Sequence, residues 1–226
     1  MKIVVAGPFQ SGKSKYIQAL DERAINIMTL DKNKKECTIG MDIGSYICEG
    51  MKISIFGTPG LLRFKTIRQI IISGADGILF MFDGTNPDKD DAAIQILNEI
   101  RNRIPRRVPI VYMVNKIGEP NCRSVDVVKA QNYLPKSAEV FGINVEKGEN
   151  VIEPLDELVY LIRESMKPLV VTLRKYQNNP LGLKVALNRS VDEIMELLNA
   201  MELRGIISID RTNMTYEMKQ TADFFV

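Results

Sequence analysis

The chain has 226 residues, 45% of them hydrophobic, and its 30 basic and 28 acidic side chains leave a net charge of +2. That length accommodates one medium domain and a small one, and the balanced charge excludes a whole-chain field aimed at nucleic acid or an anionic membrane. Cys37, Cys48 and Cys122 are widely spaced and histidine is absent, which argues against a disulfide framework or a Cys/His zinc site and for a reducing cytosolic compartment. No apolar stretch approaches the ~18 residues of a membrane span. The N-terminus enters a strand at once without a signal peptide, and Lys2 stands where N-myristoylation needs glycine, so direct membrane insertion is not expected.

Residues 2–6 form an apolar run that predicts a buried strand, and Gly7-Pro8-Phe9-Gln10-Ser11-Gly12-Lys13-Ser14 follows as a complete GxxxxGK[ST] phosphate loop. Gly7 and Gly12 let the backbone curl so that its N–H groups converge on phosphate oxygens at the positive end of the next helix. In such a loop Lys13 reaches the β- and γ-phosphates and Ser14 ligates Mg²⁺. A nucleoside triphosphate ligand is the expectation, against the blander reading of a glycine turn with no ligand.

Further along, strands are predicted at 46–49, 52–56, 77–82, 110–114 and 140–143, and helices at 13–20, 65–72, 90–101, 124–133 and 153–166. This alternation is the rhythm of a parallel sheet covered by helices on both faces. The turns Gly57-Thr58-Pro59-Gly60 and Gly84-Thr85-Asn86-Pro87 sit just after strands, on the edge where open α/β sheets bind ligands. Lys167-Pro168 marks a change. Beyond it, 169–177 and 181–187 read as short helices, Ser190-Val191-Asp192-Glu193 is a capping box opening a third, and 206–209 with 214–218 read as a hairpin. That order is that of a winged helix-turn-helix, and the domains are set at 1–166 and 167–226.

The order of the phosphate loop, Thr38-Ile39-Gly40 and Phe56-Gly57-Thr58-Pro59-Gly60 resembles that of the small GTPases, nearest to the Arf-like branch and the prokaryotic MglA-like GTPases. The resemblance covers roughly the first 166 residues, a domain of ordinary size. It implies a P-loop NTPase fold, GTP or GDP with Mg²⁺ as ligands, and a nucleotide-controlled switch. Thr38 is expected to join Ser14 on the metal, and Gly60 to donate its N–H to the γ-phosphate, so that hydrolysis releases both segments. Lys13, Thr38 and Gly60 thus take the catalytic roles, and Asn115 and Lys116 match the base-reading NKxD motif. A protein partner bound through the switch segments, of the roadblock-dimer type, is also implied.

Four departures accompany these matches. Gly57 stands where the family places an acidic residue near Mg²⁺, and Leu61 replaces the glutamine that positions water, so slow or partner-dependent hydrolysis is expected. Phe9 adds bulk beside the γ-phosphate. Gly118 removes the aspartate that reads guanine, and 144–148 keep little of the remaining base motif. Asp83 ends an apolar run as a Walker B carboxylate does, or simply begins a turn, the preferred reading. Glu119 either turns toward the base or is an exposed charge, and Lys32, Lys34 and Lys35 read as a solvated loop. Leu61 and Leu62 either pack beneath the switch helix or form a partner surface that appears with triphosphate.

Three functions compete: a GTP-binding switch with weak hydrolase activity, a pseudo-GTPase scaffold, and a nucleotide-gated DNA-binding regulator. The last is not favoured. From residue 168 onward seven basic side chains face seven acidic ones, and four acids lie on the helix that would enter a major groove.

Overall fold

The computed structural model describes the chain apart from residues 27, 31–35, 39–40, 106, 178 and 214, and for 28–30 and 36–38 it describes the backbone alone. It divides into two compact units, Met1–Tyr160 and Leu161–Val226. The first contains β1 (Lys2–Ala6), α1 (Lys13–Leu20), β2 (Met28–Leu30), β3 (Glu36–Thr38), β4 (Asp42–Cys48) and β5 (Met51–Gly57). There follow α2 (Lys65–Ile72), β6 (Gly77–Asp83), α3 (Asp90–Arg103), β7 (Ile110–Asn115), α4 (Val125–Gln131), β8 (Val140–Ile143) and the start of α5 (Glu153–Lys175).

Six strands form one sheet in the order β4-β5-β1-β6-β7-β8. Helical crossovers make most of its neighbours parallel, as the sequence rhythm predicts. The exception is β4 against β5, which the sequence reading placed in the same parallel rhythm. Only Glu49 and Gly50 join them, both at positive φ (47° and 80°), and a two-residue turn of that kind closes an antiparallel hairpin. Its register sets Asp42 opposite Gly57. The short antiparallel pair β2 and β3 carries no signal that the sequence reading detected.

Strand residues alternate between two buried faces. Val4, Ala6, Ile78, Phe80, Phe82, Tyr112 and Val114 share one core with Ile71 and Ile72 of α2 and Ile96, Leu97 and Ile100 of α3. Their neighbours Ile3, Val5, Leu79, Met81, Val111 and Met113 are also buried, on the opposite face, where α1 packs against β1, β4 and β5. Burial on both sides is why these strands read as unbroken apolar runs. The functional loops therefore rise from a rigid sheet edge.

The second unit holds the rest of α5, α6 (Pro180–Leu187), α7 (Val191–Leu203) and the antiparallel strands β9 (Ile207–Asp210) and β10 (Thr215–Met218). Ser190 caps α7 through Glu193 in the predicted capping box. The buried Tyr216 hydroxyl donates to the Leu173 carbonyl at 2.8 Å, tying β10 to α5. Among the described residues no helix is long and apolar enough to cross a membrane.

The predicted break at Pro168 does not occur, because α5 continues through it. Leu155, Leu158, Val159 and Ile162 before the proline, and Val170 and Leu173 after it, lie on one apolar stripe at helical spacing. Pro168 and Glu164 are exposed, so the carbonyl that loses its amide partner faces water rather than core. Thr172 Oγ1 donates to the Pro168 carbonyl at 2.8 Å. Replacing Pro168 with alanine restores the missing bond, and thermal denaturation is expected to show a gain of about 1–3 kcal/mol. An unchanged or lower midpoint would mean that the proline relieves strain in the helix.

Candidate functional site

The phosphate loop leaves the carboxyl end of β1 and enters α1 through Gly12, whose φ of 108° is open to glycine without strain. A Cβ at Gly12 would collide with the Asn115 amide, so the loop lies directly on that side chain. Asn115, at the end of β7, is 4% exposed. Its Nδ2 donates to the Ser11 carbonyl at 2.8 Å, while its Oδ1 accepts from the Lys116 N–H at 2.8 Å and the Val145 N–H at 3.2 Å. Lys13 is 7% exposed, and its ammonium donates to the Pro8 carbonyl at 2.7 Å within the same loop.

A cleft of about 1180 Å³ opens over this loop. Of the predicted site residues, Phe9, Gln10, Gly12, Lys13, Ser14, Gly60, Asn115 and Lys116 line it. Gly7, Pro8 and Ser11 are buried behind it as the body of the loop. Gly60 presses against the backbone of Pro8 and Phe9, closer than any side chain would permit. The side chain of Thr38 lies outside the described residues, as do Ile39, Gly40, Lys32, Lys34 and Lys35.

Two buried carboxylates, Asp83 and Asp42, have different partners around the cleft. Asp83 is fully committed within the fold: its Oδ1 accepts from the Thr85 N–H and hydroxyl, and its Oδ2 from Lys89 at 2.6 Å and Lys116 at 2.7 Å. It begins a turn, as the preferred sequence reading has it, and it also anchors two cleft lysines. Lys89, absent from the sequence candidates, reaches on to the Gln10 carbonyl at 3.2 Å. Asp42 is likewise absent from the sequence candidates. Its Oδ2 accepts from Ser14 Oγ at 2.9 Å, yet the residue is 1% exposed and its Oδ1 has no partner among the described residues. Burial pushes its carboxyl above the usual range, against the opposing pull of Ser14 and Lys13. No local motif announces Asp42; the signal is its register against Gly57.

At the other end of the cleft Gly118 has a φ of 75° and Glu119 follows it onto the lining. Glu119 accepts from Asn144 Nδ2 at 3.2 Å and pairs with Lys147 at 3.2 Å. The Lys147 and Asn144 contacts hold its carboxyl below the ordinary value. Lys15 pairs with Glu146 on the same rim.

The turn beyond Gly60 is held from beneath by Arg68 of α2, a fully buried guanidinium. It donates to the carbonyls of Pro59, Leu61 and Leu62 at 3.2, 2.6 and 3.1 Å and to Glu99 of α3 at 2.8 Å. These bonds satisfy the planar donor fork of arginine. Leu62 remains 39% exposed and Ile70 69% exposed, so the apolar surface here is only partly covered.

A model of the Ras family matches residues 2–164. The GTP-binding protein ypt4 of Schizosaccharomyces pombe is 26% identical over 138 residues, 59% of this chain and 58% of that relative. An uncharacterized protein of Methanocaldococcus jannaschii is 26% identical over 161 residues, 70% of this chain and 92% of the relative. Ras-related protein Rab-4A of Bos taurus is 26% identical over 157 residues, covering 67% of this chain and 69% of its own length.

The Asp83 cluster has a measurable acid-side signature. Burial raises the carboxyl, but Lys116, Lys89 and Thr85 outweigh it and take it down to about 2. A depressed carboxylate stabilises the fold fully above its unfolded value of 3.8, and that contribution is lost as pH falls from there through about 2. Asp83→Asn is expected to lose about 2 kcal/mol at neutral pH and to flatten the decline in melting temperature between about pH 4 and pH 2. Equal acid sensitivity of variant and wild type would contradict this assignment.

Proposed function

The chain belongs to the Ras family and is a GTP-binding switch of the small GTPase type, and on that premise we propose that it holds GTP or GDP with Mg²⁺ in the cleft over residues 7–14 and hydrolyses GTP slowly or with a partner's help. The observation that carries this reading is the loop itself: a buried lysine, a hydroxyl at the first turn of α1 and a glycine of the second switch segment meet on one backbone curl. Lys13 supplies positive charge to the phosphates, Ser14 and Thr38 supply hydroxyls to the metal, and Gly60 supplies an N–H to the terminal phosphate. The metal, when bound, neutralises the charge that develops between the outer phosphates. Ser14 offers a hard hydroxyl oxygen suited to such an ion, and its proton is directed to the buried Asp42.

Slow turnover follows from Leu61, which has no group to orient water. Phe9, against Gly60, adds bulk at the same corner. Glu119 favours guanine despite Gly118, because it carries a carboxylate onto the cleft lining one residue later. In the second unit, helix, helix, helix and hairpin favour a winged-helix-like module used for protein contact, with the domain boundary near Met166. Its balanced charge does not favour DNA. A cytosolic location, an Arf-like or MglA-like placement and a roadblock-type dimer acting on Leu61 and Leu62 belong to the same reading.

Denaturing the purified protein and separating the released nucleotide by chromatography is expected to yield GDP or GTP. ATP, or no nucleotide in protein purified with Mg²⁺, would overturn the reading. Single-turnover hydrolysis by Leu61→Gln is expected to be at least about tenfold faster than by wild type; an unchanged rate would remove Leu61 as the cause of slow turnover.

A further inference from the structure

Asp42 is a buried carboxylate with one oxygen engaged and the other without a partner among the described residues. Such a group is costly to keep in a core, and the usual resolutions are a second donor or a cation. Its engaged oxygen accepts from Ser14 Oγ at 2.9 Å, the hydroxyl at the mouth of the phosphate loop. A serine hydroxyl that gives its lone pairs to a metal must send its proton elsewhere, and this carboxylate is the acceptor in place to take it.

Room for Asp42 comes from the strand opposite. In the β4–β5 register Asp42 faces Gly57, and a Cβ at Gly57 would lie 2.5 Å from Asp42 Oδ2 and 2.9 Å from both Asp42 Cβ and Ile17 Cδ1. A side chain at 57 and the present position of Asp42 are mutually exclusive. The sequence therefore carries one carboxylate in this space, and it arrives from β4.

We infer that Asp42 is the positioning residue for the Mg²⁺ site, anchoring Ser14 and supplying the carboxylate charge that Gly57 cannot. The inference rests on the reading of the cleft as a nucleotide site. Asp42 holds the Ser14 proton on the side away from the metal and places a negative charge behind it. Loss of that charge weakens the grip of the ion on the bound nucleotide without removing the phosphate loop.

The test is the release of a fluorescent GDP analogue from the full chain, measured in excess Mg²⁺ and in EDTA. Wild type is expected to release at least about tenfold faster in EDTA, and in Asp42→Asn this ratio is expected to fall toward one. Asparagine keeps the size of the side chain and an acceptor for Ser14, so a merely structural role would change both rates by a common factor and leave the ratio intact. That outcome overturns the inference. Moving the carboxylate across the strand pair, in Asp42→Gly combined with Gly57→Asp, is expected to recover the ratio, and a ratio that stays near one would overturn the claim that both positions serve one place. Wild type that binds no guanine nucleotide in either buffer would instead sink the nucleotide reading itself.

Discussion

The buried amide of Asn115 touches three segments that are distant in sequence: the phosphate loop at Ser11, the end of β7 at Lys116 and the loop after β8 at Val145. The Ser11 and Val145 bonds are buried and the Lys116 bond is half-buried, so the amide is a structural necessity as well as a lining group. It fixes the height of the loop above the sheet, and Gly12 is the residue that lets the loop come down onto it. Everything that converges on the cleft is placed relative to this clasp. Lys13 is held within the loop, Ser14 follows it into α1, and Lys89 bridges from Asp83 to Gln10.

The second switch segment is secured differently. Three of its carbonyls rest on one guanidinium, and that guanidinium rests on Glu99. A buried ion pair adds little net stability by itself, but removing one partner leaves the other charge stranded, so the pair specifies a conformation more than it strengthens one. The turn at Pro59, Leu61 and Leu62 is thus fixed by side-chain donors, while Gly60 between them keeps its backbone against Phe9. Fixing the neighbours of a glycine proposed to offer its N–H to a phosphate is a form of preorganisation.

Much of this fold is legible in the sequence. β1, β8, α1 and α2 fall where apolar runs and helical spacing place them, because burial on both sheet faces and an amphipathic stripe leave direct marks. The antiparallel β4 was less visible: its first residues alternate burial against a hairpin partner, and Asp42 and Gly44 look like turn residues without that partner. Pro168 misled for the opposite reason, since a strong local breaker was overridden by a stripe that continues past it. The phosphate loop could be read residue by residue because its chemistry is contiguous. Asp42 could not, because its meaning depends on facing Gly57 across a strand pair. A loss judged at position 57 alone becomes a transfer once the register is known.

The most direct measurement of the central claim is calorimetric titration of nucleotide-stripped protein with GDP in the presence of Mg²⁺, repeated on Lys13→Ala. One binding site of micromolar affinity or tighter is expected, weakened about a hundredfold or more when the ammonium is removed from the loop. No heat with any purine nucleotide, or equal affinity in the Lys13 variant, would contradict the account.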